Sequence, residues 1–399
     1  MDPPPLRPPL MEELVEEVLL RVSPDDPATL VRAAVGCKRW CRLISGATFR
    51  RRFRELHPAA PMLGFLYARR SGTDFVPASS FRPPHAFRED WNAIDARHGR
   101  VLVVALESFS PTGTRFIVWD PVTDGAQSLP ILEFRPYSWG DAVLCATAGC
   151  DHLDRRGGPF LVVVVVTDVS QMRTSAYEYS SDQGTWSEPI TVQHPNDWIM
   201  IRLHAHVGNA LYFNYGLMIL KYELGKRELA FIDLPSEFHA RHMVLMQAED
   251  GGLGFATIQE SKLSLWSREA GADGYAGWAQ QRVIDLDKLL PVSDCNISVS
   301  PYVYAARPPY VVAVADNVGV IFIGKDDGLF TVHLNSGRAE RIVVESNSNF
   351  KVVPYKPTRI SCAAPTALLF YVLELDKCLH LVMYTFALIL LHYLCSPVP

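Results

Sequence analysis

The sequence predicts a small all-α N-terminal segment of three short helices, followed by a large all-β domain that is most simply a β-propeller. Three observations carry this expectation. Residues 10–44 repeat apolar side chains at helical spacing. After Pro61 the chain switches to short β-rich runs punctuated by Gly, Asp, Ser and aromatic residues, and those runs recur as similar units. A chain of 399 residues, 48% hydrophobic and 20% charged, can build a sizeable core beside a smaller domain.

In the first stretch, "LMEELVEEVLLRV" (10–22) places Leu10, Leu14, Val15, Val18, Leu19 and Val22 on an apolar stripe, with Glu12, Glu13, Glu16 and Glu17 opposite. Acidic residues in a first turn also suit the helix dipole. "SPDDP" breaks the chain. Asp26 is a suitable N-cap and Pro27 a suitable first helical residue, so a second helix runs through Leu30, Ala33, Ala34 and Cys37. A third, "KRWCRLI", carries Trp40, Cys41 and Ile44. Cys37 and Cys41 lie one helical turn apart, but no second ligand pair lies near them, so they are expected to pack as small apolar residues. Arg50, Arg51, Arg52 and Arg54 are expected to form a solvated helix end. Three short helices have wider apolar faces than so small a bundle can hide, so a partner surface is expected.

These residues resemble an F-box, whose pattern begins Leu-Pro-x-Asp/Glu-Leu, continues Glu-Ile/Val-Leu and ends in Cys-Lys/Arg-x-Trp followed by Phe. Leu10, Glu13, Leu14, Glu17, Val18, Leu19, Cys37, Arg39, Trp40 and Phe49 fill those places. Met11 stands where the family usually has proline, which removes a rigid residue at the partner surface. The resemblance implies an adaptor-binding F-box over 8–57 that docks on a Skp-family adaptor and, through it, a cullin. Leu10, Met11, Leu14, Val18, Leu30 and Trp40 are the expected adaptor contacts, each with internal core as its alternative.

From residue 61 several units rhyme: 100–130, 159–189, 209–235, 252–286 and 319–344, with "GFLY" (64–67) as the start of a further one. Each joins two β-rich runs, a turn and a closing strand, at a spacing of about 40–65 residues that suits propeller blades. Closing such sheets into a ring removes their edges; a β-sandwich is the competing arrangement. The motifs "VWDPVTDGAQSLP", "YSSDQGTW", "NALYFNYG", "EDGGLGFA", "LSLWSRE" and "VVPY" resemble the β-propeller-like associated domain of plant F-box proteins. That resemblance implies a substrate-recognition domain over 61–360. Trp119, Trp186, Trp266 and Trp278 are expected in the blade cores.

The rest of the sequence narrows the chemistry. A net charge of −5 argues against a dedicated nucleic-acid binder. None of the eight cysteines forms a CxxC and no apolar leader is visible, so reduced thiols in the cytoplasm or nucleus are expected; the sequon at Asn296 is then silent. Nucleophile elbow, P-loop and GxGxxG motifs are missing. "FHARHMV", with His239 and His242, lacks the zincin spacing, and His204 and His206 alternate on a strand without a third ligand beside them. No catalysis, cofactor or metal is therefore expected. Residues 361–399 form an atypical hydrophobic tail whose uncharged run 378–395 reads either as a membrane span, which needs ~20 residues, or as a packed C-terminal helix.

Together these readings imply a non-catalytic substrate receptor of an SCF-type ubiquitin ligase that holds an unidentified target protein. A propeller scaffold working without a ligase is the alternative.

Overall fold

The computed structural model describes residues 11–23, 27–57, 62–105, 113–134, 138–146, 158–193, 202–234, 243–270, 276–291, 308–316, 318–342 and 350–356. They fall into two compact units, one holding the α-helices and the other every strand. Leu10, Asp26, His239, His242, the sequon at Asn296 and the tail 361–399 lie outside the described residues.

Four helices form the first unit: α1 Glu12–Leu20, α2 Pro27–Gly36, α3 Lys38–Ser45 and α4 Ala47–Leu56. Pro27 opens α2 as its fixed φ predicts. The sequence reading differs from the structure at two points. Cys37 is not part of the second helix but an extended residue (φ −147°, ψ 118°) that precedes α3. The arginine run lies not on a trailing helix end but within a fourth helix, whose signal was the i, i+4 pair Phe49 and Phe53, stacked with ring centroids 5.9 Å apart. Gly46 separates α3 from α4, and a Cβ there would sit 3.0 Å from the Leu43 carbonyl oxygen. Val15, Leu19, Leu20, Leu30, Ala34, Ile44, Phe49 and Phe53 form the buried core, with Trp40 and Cys41 half-buried against it.

The second unit is a six-bladed β-propeller. In blade 1 the sheet order is β25-β1-β2-β3, where β1 is Gly64–Arg69, β2 Gly72–Pro77, β3 Phe87–Glu89 and β25 Val352–Tyr355. Blade 2 runs β4 Trp91–Arg97, β5 Arg100–Ala105, β6 Phe116–Trp119 and β7 Ala126–Ser128. Blade 3 has β8 Ser138–Cys145, β9 Phe160–Asp168, β10 Arg173–Ser180 and β11 Thr185–Trp186, with β12 Ile190–Gln193 also pairing β10. Blade 4 comprises β13 Arg202–Val207, β14 Ala210–Asn214, β15 Met218–Glu223 and β16 Glu228–Asp233. Blade 5 comprises β17 Met243–Gln247, β18 Leu253–Gln259, β19 Lys262–Ala270 and β20 Ala276–Asp285. Blade 6 comprises β21 Tyr310–Ala315, β22 Val320–Lys325, β23 Gly328–His333 and β24 Arg338–Ile342. All pairings are antiparallel.

The inner strands touch in the cyclic order β25, β4, β8, β13, β17, β21 and back to β25, which closes the ring. Closure is made by the last strand joining the first sheet, with Leu66 opposite Val353 and Tyr67 opposite Val352. Tyr355 is fully buried there, edge-on to Phe75 at 5.8 Å. Five repeating units read from the sequence correspond to the outer three strands of blades 2 to 6, and "GFLY" opens blade 1. In blades 2 to 6 the inner strand precedes the unit and is not part of it, whereas the inner strand of blade 1 is β25, at the other end of the domain. In blades 2 and 3 the reason is composition: β4 and β8 carry Asp95 and Asp141 within apolar runs.

Two blade contacts are held by turn residues in the left-handed region. Asp124 (φ 61°) lies between β6 and β7, and Arg227 (φ 56°) between β15 and β16. Glycine would adopt either turn at lower cost. Each side chain instead ties its blade to a neighbour. Asp124 pairs with Arg88 and His85 of blade 1, and Arg227 Nε lies 3.2 Å from Glu178 of blade 3.

Trp119 is buried, and Trp266 and Trp278 pack on Phe255. Trp186 lies against Phe116 and Tyr179. These four sit in or beside blade cores.

Candidate functional site

Helix α1 carries two apolar faces rather than one stripe. Val15, Leu19 and Leu20 turn into the helical core, at 9%, 6% and 0% exposure. Met11, Leu14 and Val18, spaced three and four residues apart, share another side and are 63%, 55% and 66% exposed. Ordinary surface helices keep one apolar stripe of roughly 100° and cover the rest with polar residues. Here three large apolar side chains in succession face away from the core.

Polar contacts with α4 fix the orientation of α1. The Arg52 guanidinium forks onto Glu16, at 2.8 Å, and onto Glu17. His57 Nε2 donates to the Leu20 carbonyl oxygen at 2.9 Å, which occupies one of the free acceptors at the helix end, and its ring lies 4.5 Å from Phe53. Val15, Leu19 and Leu20 are packed and Glu16 and Glu17 clamped, while the side bearing Met11, Leu14 and Val18 stays exposed. Met11 is the N-cap residue, at φ −60° and ψ 139°. A proline requires that φ, so the residue that departs from the family pattern occupies the same backbone conformation.

Of the other expected contacts, Leu30 is 8% exposed and belongs to the core, its internal alternative. Trp40 is half-buried against the same core. The structure thus brings Met11, Leu14 and Val18 together and turns Leu30 away from them.

A second concentration of chemistry lies on the axis of the propeller. Asp95 and Arg97 come from β4 and His204 from β13, two blades on. Asp95 Oδ2 stands 3.5 Å from both Arg97 Nε and His204 Nε2, and Arg97 Nε lies 3.4 Å from His204 Nε2. Residues of non-adjacent blades at such distances must meet across the central channel. Asp95 also accepts the Val143 N–H of β8 at 2.9 Å. Burial would raise its carboxyl, but the charges of His204 and Arg97 and these hydrogen bonds outweigh burial and hold it below the carboxylate range.

Asp141 of β8 shows the opposite balance. Burial pushes it up to about 6, against the pull of His204 and Lys351. Lys351, just before β25, is lowered by burial and partly restored by Asp141. At the other end of β25, Lys356 is lowered to about 8 by burial, with Asp316 opposing the shift and Arg97 adding to it. Its ammonium donates to the Asp316 carbonyl oxygen, while the Asp316 carboxylate accepts the Gln247 N–H at 3.2 Å. Carboxylates and cations from the inner strands, or from residues flanking them, therefore gather from several blades. Sequence reasoning had singled out only His204 of this group; an aspartate inside an apolar strand was the available signal for the others.

Among the described residues, no three His, Cys, Asp or Glu side chains gather as metal ligands would, and no helix is long and apolar enough to cross a membrane.

Fold and site define a six-bladed propeller preceded by a helical unit with an uncovered apolar face. Residues 92–358 match the family described as F-box protein AT5G49610-like, beta-propeller, and the chain belongs to that family. No curated protein matches the chain. Among solved structures it is similar to apo AztD from Citrobacter koseri, at 11% identity and a TM-score of 0.36, over 73% of this chain and 81% of that one. An auxiliary nutrient binding protein from Bacteroides ovatus matches at 12% identity and 0.37, over 72% and 66% of the two chains. Sqt1 from Saccharomyces cerevisiae matches at 11% and 0.33, over 67% and 66%.

Proposed function

We propose that this chain is a substrate-recognition subunit of an SCF-type ubiquitin ligase, without bond chemistry of its own. The helical unit docks on a Skp-family adaptor, which in turn binds a cullin, and the propeller holds the target protein. One observation carries this reading: Met11, Leu14 and Val18 form an uncovered apolar face on a helix whose opposite face is already buried. Family membership over 92–358 supports it.

The function such a receptor performs is proximity. Holding the target beside the charged conjugating enzyme turns an encounter between separate molecules into one within an assembly, at an effective concentration set by the tether. The propeller suits this role because its closed ring is rigid while its turns are free to vary.

Adaptor pull-down tests the reading. Leu14→Asp places an unpaired charge in the interface and is expected to lower adaptor binding by about two decades or more, with helical circular dichroism unchanged. Equal capture by wild type and Leu14→Asp would refute the placement of the docking face. No capture by wild type, without rescue by Met11→Pro, would favour a scaffold that works without a ligase.

A further inference from the structure

Two aspartates, one within an inner strand and one just past another, each accept a backbone N–H from an adjoining blade. Asp316, just past β21 of blade 6, accepts the Gln247 N–H of blade 5 at 3.2 Å. Its carbonyl oxygen accepts the ammonium of Lys356, just past β25 of blade 1. Asp95, in β4 of blade 2, accepts the Val143 N–H of blade 3 at 2.9 Å. The two differ in reach. These contacts of Asp316 stay with neighbouring blades, whereas Asp95 also meets His204 Nε2 of blade 4 at 3.5 Å. That contact skips a blade.

Skipping a blade changes what a contact can do. A tie between neighbours constrains one interface. A tie from β4 to β13 constrains two, because its span across the channel depends on how blade 3 sits against both blade 2 and blade 4. Opening either interface stretches it.

The surroundings make that stretch costly. Asp95, the His204 side chain and Val143 are all buried, and Arg97 Nε stands 3.5 Å from the same carboxylate oxygen. A carboxylate parted from these partners would be an unpaired charge in the interior of the ring, which is strongly unfavourable. Each interface also has a tie of its own on the third and fourth strands of the sheets. Gln127 Nε2 donates to the Tyr179 hydroxyl at 3.3 Å between blades 2 and 3, and the Tyr222 hydroxyl donates to Glu178 at 2.6 Å between blades 4 and 3. Asp95 couples the two interfaces on the inner side.

We infer that Asp95 is a cross-channel clasp which, through Val143 and His204, locks blades 2, 3 and 4 into one block that opens as a unit. Contacts that must break together make the elements they join open together. The inference does not depend on adaptor docking at α1, and Leu14→Asp leaves it untouched.

Native-state amide exchange of the full chain, followed by mass spectrometry, tests this. Asp95→Asn removes the charge at nearly constant shape, and His204→Gln removes the partner in blade 4. Each is expected to speed exchange of 142–144 in β8 and 205–207 in β13 by about tenfold or more, and that of 244–246 and 313–315 in blades 5 and 6 by less than about threefold. The double variant should match Asp95→Asn alone to within about threefold, because both substitutions cut one contact. Asp316→Asn is the control, expected to act on 244–246 and 313–315 and to spare 205–207. Should Asp95→Asn not fold, His204→Gln decides alone. It leaves the bond between Val143 and Asp95 in place, so faster exchange at 142–144 in that variant reports the clasp. Equal acceleration in all six blades, single effects that multiply in the double variant, or no acceleration overturns the inference. So does acceleration in β8 without β13, which would reduce Asp95 to a tie between neighbours.

Discussion

The helical unit and the propeller manage apolar surface in opposite ways. Among the described residues, five exposed large apolar side chains lie on the helices (Met11, Leu14, Val18, Val35 and Leu56). The much longer propeller exposes four: Phe87, Ile131, Leu217 and Val283. A blade packs both faces against neighbours, so β9 can bury Val162 to Val166 on its two sides at once. Four short helices enclose one small core and have no second layer to cover what remains. The lesson is that exposed apolar residues mean different things in the two units. Single ones on the ring are unremarkable, whereas three at helical spacing on α1 form one exposed apolar patch.

Removing the closing strand should have the largest effect. A chain ending at residue 350 lacks Val352–Tyr355, which leaves blade 1 open along β1 and removes the inner-strand contact that β25 makes with blade 6. The ring is expected to lose its cooperative thermal transition, seen as a broad, low melt by circular dichroism. A sharp melt close to wild type would show that closure does not hold the ring.

Charge substitutions on the two faces of α1 sharpen the comparison within a single helix. Leu19→Asp places a carboxylate in the helical core and is expected to cost on the order of 3 kcal/mol or more, melting the helices. Leu14→Asp, on the exposed face, should change stability by no more than about 0.5 kcal/mol. Similar destabilisation by both would mean that the face bearing Leu14 is covered within the chain.

The axial charges supply a test inside the ring. Asp141 is held at about 6, above its value in an unfolded chain, so the folded state binds its proton more tightly. The stability linked to that proton is full below about pH 4 and is lost as pH rises through about 6. Asp141→Asn should remove this part of the pH dependence between about 4 and 7, up to about 3 kcal/mol if the group acts alone. Parallel denaturant midpoints for wild type and variant across that range would refute the assignment.

The smallest expected effect is at Met11. Its φ of −60° already suits proline, so Met11→Pro should stabilise the helical unit by about 0.4–1 kcal/mol through the unfolded chain. Chemical denaturation would detect a shift of that size, and a loss of stability would show that Leu10 or the cap cannot accept the ring.

Much of this architecture was legible in the sequence. Helical spacing located α1 to α3, Pro27 marked the start of α2, and turn residues between β-rich runs outlined three strands of every blade from the second to the sixth. Those signals are local, because periodicity and turn chemistry act within a few residues. α4 escaped because its arginines outweighed the pair Phe49 and Phe53. The inner strands of blades 2 and 3 escaped because Asp95 and Asp141 interrupt their apolar pattern, and Asp95 makes sense only once His204 of another blade stands opposite it. The number of blades, and the pairing of Val352–Tyr355 with a strand nearly 300 residues earlier, depend on how sheets pack around an axis. The α1 stripe shows the same division. Its sequence reads as one apolar stripe opposite the glutamates, but only packing against α4, with Arg52 forked onto Glu16 and Glu17, decided which of those apolar residues are buried and which stay exposed.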